Sequence, residues 1–309
     1  MDAETIKNLL KSECTLVVED SVTSTNDEVA RLLQGSQQSS LVKPLVVISS
    51  EQTAGRGRLG RSWVSLPGGL YISFALQPQA TLQQATTLPL ILALALRSVL
   101  QEFCTTKIHI KWPNDLLADT GKLCGILVET HNVPLALTET SSDPWPILIV
   151  GIGINVNRPG IEGEKAYEQV KGLVELVETT EKVGISGAAY LSDAPKLKHV
   201  GDNEYDGDGD SDSDVGVSLS LEPIAAKVID AVLSWIDSWK LAGFDFSVFQ
   251  EEYQRELILM GKDVTVSDSH VMPFTRGIVT GVDVHGRLLL QDGGVITAIS
   301  AGDVTLKQP

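Results

Sequence analysis

One run of residues concentrates more chemistry than a core or a turn requires: Glu51-Gln52-Thr53-Ala54-Gly55-Arg56-Gly57-Arg58-Leu59-Gly60-Arg61-Ser62-Trp63, directly after the apolar Leu45-Val46-Val47-Ile48. Closely spaced glycines let a backbone approach a ligand or take positive φ, and arginines supply planar cationic donors suited to phosphate or carboxylate. Such a loop is built to close over an anion and to become ordered when one arrives. Gly55, Gly57 and Gly60 also spell G-x-G-x-x-G, but a dinucleotide fingerprint needs a helix next and an acidic residue about 20 positions on. Neither follows; instead come Trp63-Val64-Ser65, a Pro67-Gly68-Gly69 turn and the strand-like Leu70 to Leu76. No G-x-x-x-x-G-K-[ST] occurs, which removes a Walker-type phosphate loop. A solvated Arg/Gly hairpin with no ligand is the plain alternative.

Other stretches place polar groups where elements end. Ser24-Thr25-Asn26 opens a helical pattern; Thr25 and Glu28 have capping-box spacing, and their neighbourhood could equally hydrogen-bond a polar ligand through hydroxyls and free amides. Lys111-Trp112-Pro113-Asn114-Asp115 ends a strand with an Asx turn or with a ligand-facing amide and carboxylate. Lys122 precedes Gly125, a glycine inside a strand and so a sign of a bulge or of close backbone approach. Gly151-Ile152-Gly153-Ile154-Asn155 repeats the pattern, an apolar strand that gives up side chains before an asparagine.

The elements that must position these residues follow from periodicity. Strands are expected at 16–18, 45–51, 70–76, 108–112, 123–129 and 147–157, with helices at 26–33, 83–103, 221–241 and 246–257. Short strands at 261–266, 275–284, 286–290 and 295–299 suggest a small β-barrel. The expected fold class is α+β, a mixed β-sheet backed by helices with a small C-terminal barrel, divided into a catalytic unit at 1–258 and a barrel at 259–309. Residues 158–220 read as an insertion: 165–182 could hold a helix, and 199–218 has the composition of a disordered loop.

Composition bounds the function. The net charge of −16 argues against a general nucleic-acid binder, although seven of the excess carboxylates lie together at 202–214. Cys14, Cys104 and Cys124 are scattered, and His109, His131, His199, His270 and His285 form no ligand spacing, so neither a disulfide framework nor a zinc site is expected. The opening Met1-Asp2-Ala3-Glu4 has no basic n-region, and Leu88 to Leu96 is short for a membrane span. A cytoplasmic protein with no membrane partner is expected.

Taken together, these motifs resemble those of the biotin protein ligases, which attach biotin to carboxylase carrier domains. The resemblance rests on Ser24-Thr25-Asn26, Gln52 with the Gly55–Arg61 loop and Trp63, Lys111 to Asp115, Lys122 to Glu129, and Gly151 to Asn155, in that order. It covers about 16–157 and, more loosely, 221–307. It implies biotin against Ser24, Thr25, Asn26, Gln52, Gly55, Arg56, Gly57, Arg58, Lys122 and Gly125, and a nucleotide framed by Arg58, Arg61, Trp63, Asn114, Lys122 and Asn155. Arg58, Lys122 and Asp115 are then the expected catalytic residues. ATP and biotin would be the substrates, with Mg²⁺ accompanying ATP and Asp115 a possible ligand to it. The partner would be a biotin carboxyl carrier domain. Only some fifteen residues precede the first strand, so no DNA-binding domain and no DNA partner are expected. The insertion at 158–220 departs from the family pattern. A lipoate or octanoate ligase of the same superfamily, or a non-catalytic pocket, are the alternatives.

The residue types suit the implied chemistry. Biotin's carboxylate is ionised at neutral pH, from a reference pKa near ~4.3, so attack on the α-phosphate of ATP needs charge neutralisation and no general base. Transfer of the resulting biotinyl-5'-adenylate to a carrier lysine needs that amine deprotonated from a pKa near ~10.4, a role for Asp115.

Overall fold

The computed structural model describes residues 1–35, 41–118, 121–131, 145–157, 189–193, 218–268 and 271–306. The helix expected at 165–182 and nearly all of the acidic run at 199–218 lie outside the described residues.

Seven strands form the larger sheet in the order β1-β2-β3-β7-β6-β5-β4. They are β1 (Thr15–Val22), β2 (Leu45–Gln52), β3 (Leu70–Leu76), β4 (His109–Lys111), β5 (Asp115–Ala118), β6 (Gly121–His131) and β7 (Ile147–Ile154). β1 and β2 run parallel, and the crossover that a parallel pair requires contains helix α2 (Thr25–Gly35). The remaining neighbours are antiparallel.

Side chains alternate across a strand, so each strand contributes to two faces. On one face Ile48, Ile72, Phe74, Cys124, Ile126, Val150, Ile152 and Ile154 enter the main core. This core is closed by α4 (Leu88–Leu100) and α5 (Leu221–Leu241), with α1 (Ala3–Leu9) packed against α5 through Ile6. On the other face Val47, Ala75, Ile147 and Ile149 pack under Val29 and Leu33 of α2. Farther along that face the residues turn small and polar: Ser73 is opposite Gly151, and Gly153 stands between Tyr71 and Gly125. The helix therefore covers half of the face, and its N-terminus marks where a glycine-lined surface begins.

The single helix expected at 83–103 is three pieces, α3 (Leu82–Ala85), α4 and a 3₁₀ turn at Gln101–Phe103. Pro89 sits in the first turn of α4, where its missing N–H costs nothing; inside a continuous helix its ring would collide with the carbonyl of Ala85. The 82–103 stretch has the length and apolarity of a membrane span, yet α4 is buried nearly all round from Leu88 to Leu100 as the central helix of the core.

The C-terminal residues form the expected small β-unit, a five-stranded antiparallel sheet ordered β11-β10-β9-β8-β12. Its strands are β8 (Asp263–Asp268), β9 (Val271–Val282), β10 (Leu288–Asp292), β11 (Val295–Ile299) and β12 (Asp303–Leu306). It is fastened to the larger unit at several points. Trp112 Nε1 donates to the Gly286 carbonyl at 2.9 Å, and Gln250 Nε2, on α6 (Ser247–Glu256), donates to the Val282 carbonyl at 2.7 Å. Past α6, Ile258 N donates to the Ile110 carbonyl at 2.9 Å, which ties the start of this unit to the edge strand β4.

Candidate active site

The N-terminus of α2 is buried against the sheet with its polar residues intact: Ser24, Thr25 and Asn26 are buried, as is Ser73 beneath them. A capping box between Thr25 and Glu28 is not what forms. Glu28 N bonds the Ser24 carbonyl at 3.0 Å, so Thr25 is already helical, and the Glu28 carboxylate pairs with Arg31. The free amide of Thr25 is satisfied instead by Gln52 Oε1 at 2.8 Å, which also lies 3.0 Å from Thr25 Oγ1. Gln52 thus caps the helix from the end of β2, and its Nε2 donates to Ser65 Oγ at 2.8 Å. Asn26 occupies the space that Gly151 leaves open, since a Cβ at Gly151 would fall 2.5 Å from Asn26 Oδ1. Asn26 Oδ1 lies 2.6 Å from Ser73 Oγ, and its Nδ2 donates to Glu129 Oε2 at 2.6 Å.

The Arg/Gly loop is a tight hairpin, with Trp63 N donating to the Gly55 carbonyl at 2.9 Å and Gly57 N to the Arg61 carbonyl at 2.8 Å. Its tip takes positive φ at Leu59 (57°) and Gly60 (73°). Gly55 serves close approach: a Cβ there would sit 2.5 Å from the Trp63 carbonyl oxygen. The three arginines diverge. Arg56 Nη1 donates to both Asp27 carboxylate oxygens at 2.6 Å, and its Nη2 reaches Glu129 Oε2 at 3.3 Å. Arg61 pairs with Asp303 of β12, on the second sheet. Arg58 donates to a neutral group, Asn114 Oδ1, at 2.9 Å.

Trp63 lies flat on the glycine-lined surface. A Cβ at Gly153 would meet its Cε2 at 2.6 Å, and one at Gly125 would meet its Cζ3 at 2.8 Å. Because Gly125 and Gly153 are directly opposite in the β6–β7 register, the two glycines make one flat floor for one ring. Lys122 Nζ stands 5.1 Å from the Trp63 ring centroid, within cation–π range, and 2.9 Å from Asp115 Oδ1. Asn155 Nδ2 donates to the Lys122 carbonyl at 3.0 Å, and Asn114 Nδ2 to the Ile126 carbonyl at 2.7 Å, fixing the backbone on both sides of Gly125. Beneath the floor, Cys124 is fully buried, and that burial pushes its thiol well above the ordinary range.

The structure thus gathers Ser24, Thr25, Asn26, Gln52, Gly55 and Arg56 at one end of a shallow floor. Arg58, Trp63, Asn114, Asp115, Lys122, Gly125 and Asn155 lie at the other. Gly57 shapes the loop between them, and Arg61 is turned towards the C-terminal sheet. Sequence reasoning assigned no role to Ser65, Ser73, Asp27 or Glu129, all of which contact these residues, and read Gly151 and Gly153 as ligand space, which Asn26 and Trp63 fill. The available signal for Ser73 was a serine at a buried position of an otherwise apolar strand.

The chain is similar to known proteins over most of its length. Residues 18–138 match the biotin/lipoate A/B protein ligase family, and 261–307 match the biotin protein ligase C-terminal domain. A bifunctional ligase/repressor of Bacillus subtilis is 39% identical over 114 residues, which is 37% of this chain and 33% of that protein. The chain thus spans only a third of that curated relative's length in the match. A biotin–[acetyl-CoA-carboxylase] ligase of Mycobacterium tuberculosis is 26% identical over 92% of this chain and 87% of its own length. Among solved structures, the biotin protein ligase of Aquifex aeolicus in complex with biotin and ATP superposes with a TM-score of 0.64 at 25% identity, covering 96% of this chain and 99% of that one.

Proposed function

We propose that this chain, which belongs to the biotin protein ligase family, activates biotin with ATP and transfers it to a lysine of a biotin carboxyl carrier domain. The observation that carries the reading is the glycine floor under Trp63, with Arg58 and Lys122 beside it and the capped, polar start of α2 at its far end. The apolar ring of Trp63 on that floor, between a hydrogen-bonding end and a cationic end, suits biotin, whose ring is polar, whose chain is aliphatic and whose carboxylate must meet a nucleotide.

In the first half-reaction a carboxylate oxygen of biotin bonds to the α-phosphorus of ATP and the bond to the β-phosphate oxygen breaks, releasing pyrophosphate. Charge builds on non-bridging oxygens, and preorganised cations lower that barrier. Arg58 serves directly, because its partner Asn114 is neutral. Lys122 serves by exchanging Asp115 for a phosphate oxygen, a move that leaves Asp115 without its cation. In the second half-reaction the carrier amine attacks the acyl carbon and AMP leaves, while Asp115 orients the amine and takes its proton. Trp63 supplies an aromatic face for the adenine, and the loop keeps water from the mixed anhydride. Mg²⁺ is ordinarily held by one or two carboxylates plus substrate phosphates, which fits Asp115 beside Lys122 at the cationic end; it would neutralise phosphate charge.

The match to the biotin-specific C-terminal domain favours biotin over lipoate. The test is release of pyrophosphate that requires both ATP and biotin, followed by a mass increase of one biotinyl group on the lysine of a purified carrier domain. Activity with lipoate but not biotin would overturn the substrate assignment, and no turnover with either would favour a non-catalytic pocket.

A further inference from the structure

The buried network at the start of α2 has a proton order that one residue outside it can dictate. Glu129 Oε2 is an acceptor, held 3.3 Å from the Arg56 guanidinium, so the group that Asn26 points at it must be its amide nitrogen, at 2.6 Å. That choice turns Asn26 Oδ1 towards Ser73, whose hydroxyl must donate to it across 2.6 Å. Ser73 has one proton, now used. The contact of 2.7 Å between Ser73 and Thr25 therefore carries the proton of Thr25. It follows that Thr25 does not donate to Gln52 Oε1 at 3.0 Å, and that oxygen keeps the backbone amide of Thr25 with its second lone pair unused.

We propose that Glu129 is a positioning residue that fixes this proton order, so that Thr25 Oγ1 and Gln52 Oε1 present acceptors to ring N–H groups of the substrate. The inference deepens the biotin reading and rests on it, since the ligand must carry N–H donors at its polar end. An uncharged glutamine at 129 can itself donate, which allows Asn26 to turn over. Ser73 then accepts from Asn26 and donates to Thr25, Thr25 donates to Gln52, and the acceptor pair is lost. Nothing in this sequence of events touches the cationic end of the floor.

The experiment is steady-state kinetics on the full chain with ATP, biotin and a carrier domain. Glu129→Gln is expected to raise the KM for biotin about 3- to 10-fold with kcat within twofold, the span expected for one net hydrogen bond. Asp27→Asn breaks the other partner of Arg56 but leaves the bond from Asn26 to Glu129, and should leave the KM within twofold. Ser73→Ala interrupts the same relay, so Glu129→Gln added to it should cost nothing more. A biotin analogue with ring N–H replaced by oxygen should be discriminated against by the parent enzyme and less so by Glu129→Gln. Equal effects of Glu129→Gln and Asp27→Asn, or additivity with Ser73→Ala, would overturn the proposal. If Glu129→Gln does not fold, the analogue tested on Ser73→Ala decides, and unchanged discrimination there would overturn it too. Failure of the parent to use biotin at all would instead remove the functional reading beneath it.

Discussion

Substituting Gly153 by alanine should collide first with Trp63, to which the three nearest atoms all belong. The new Cβ would lie 2.6 Å from Trp63 Cε2, 2.7 Å from Nε1 and 2.8 Å from Cζ2, whereas carbon atoms in contact sit about 3.5–4.0 Å apart. The ring must therefore lift by about 1 Å, off a floor that it also shares with Gly125. Overpacking of this kind costs about 1–3 kcal/mol. For a unit of this size each kcal/mol lowers Tm by roughly 2–4 °C, so the expected loss is about 2–12 °C. The diagnostic measurement is a double-mutant cycle: in a Trp63→Ala background the three nearest contacts are gone, and the same substitution should cost about 0.5 kcal/mol or less. Adenylate formation should fall in Gly153→Ala because the ring proposed to face the adenine is displaced. An equal loss of Tm in both backgrounds would refute the claim that Gly153 is small for the sake of Trp63.

Four further expectations concern charge and accessibility. Arg58→Gly should let adenylate escape, seen as diffuse biotinylation of bystander lysines, while Lys122→Ala should chiefly abolish pyrophosphate release; identical profiles would refute the division of labour. Asp115→Asn removes the partner of Lys122 without removing the lysine, so pyrophosphate release should fall less than transfer to the carrier, which should fall about 10²-fold or more, the scale of a lost general base. Burial raises the thiol pKa at Cys14, Cys104 and Cys124, which depletes the reactive thiolate near neutral pH, so iodoacetamide should label the native chain slowly, at half-buried Cys14 first, and all three only after unfolding. Seven carboxylates among Gly and Ser at 202–214 offer little apolar area for packing, so replacing 199–218 by a short Gly/Ser linker should leave both half-reactions near parental rates at low and physiological salt.

What the sequence made legible, and what it hid, divides by the range of the interactions involved. Strands β2, β3 and β7 and helix α5 are long, apolar and periodic, and their burial follows the pattern. Strands β5 and β12 are four residues each, too short to establish alternation, and helix α1 is only seven. The break before α4 was written in Pro89, but a run of leucines and alanines on both sides outweighed it. Within the site, the glycine motifs pointed to close backbone approach without saying to what. That Gly125 and Gly153 oppose one another is a fact of register. The same holds for the buried relay: Asn26 meets Ser73 and Glu129 from 47 and 103 residues away, so no local spacing could reveal it.

Register also decides how many of the loop's cations are available to an anion. Counted in the sequence, the loop offers three arginines, enough to suggest a strongly positive lid in a chain of net charge −16. In the fold, Arg56 is shared by two carboxylates and Arg61 is paired with a third, so each anchors the loop to a different element. Arg58 alone among them is held by a neutral amide, and it is the one aimed along the floor at Asn114, beside Asp115 and Lys122. Positive charge is therefore concentrated where a phosphate would arrive, while the arginines on either side act as fasteners. An exposed ion pair contributes only about 0–1 kcal/mol, weak enough to suit a loop that, in the proposed reaction, would open each turnover to release AMP and admit substrate. The Lys122–Asp115 pair completes the logic in the reaction coordinate itself. A lysine cannot neutralise the carboxylate fully while it neutralises a phosphate, so in the reaction proposed above the step that drew Lys122 to ATP would also ready Asp115 for the incoming amine.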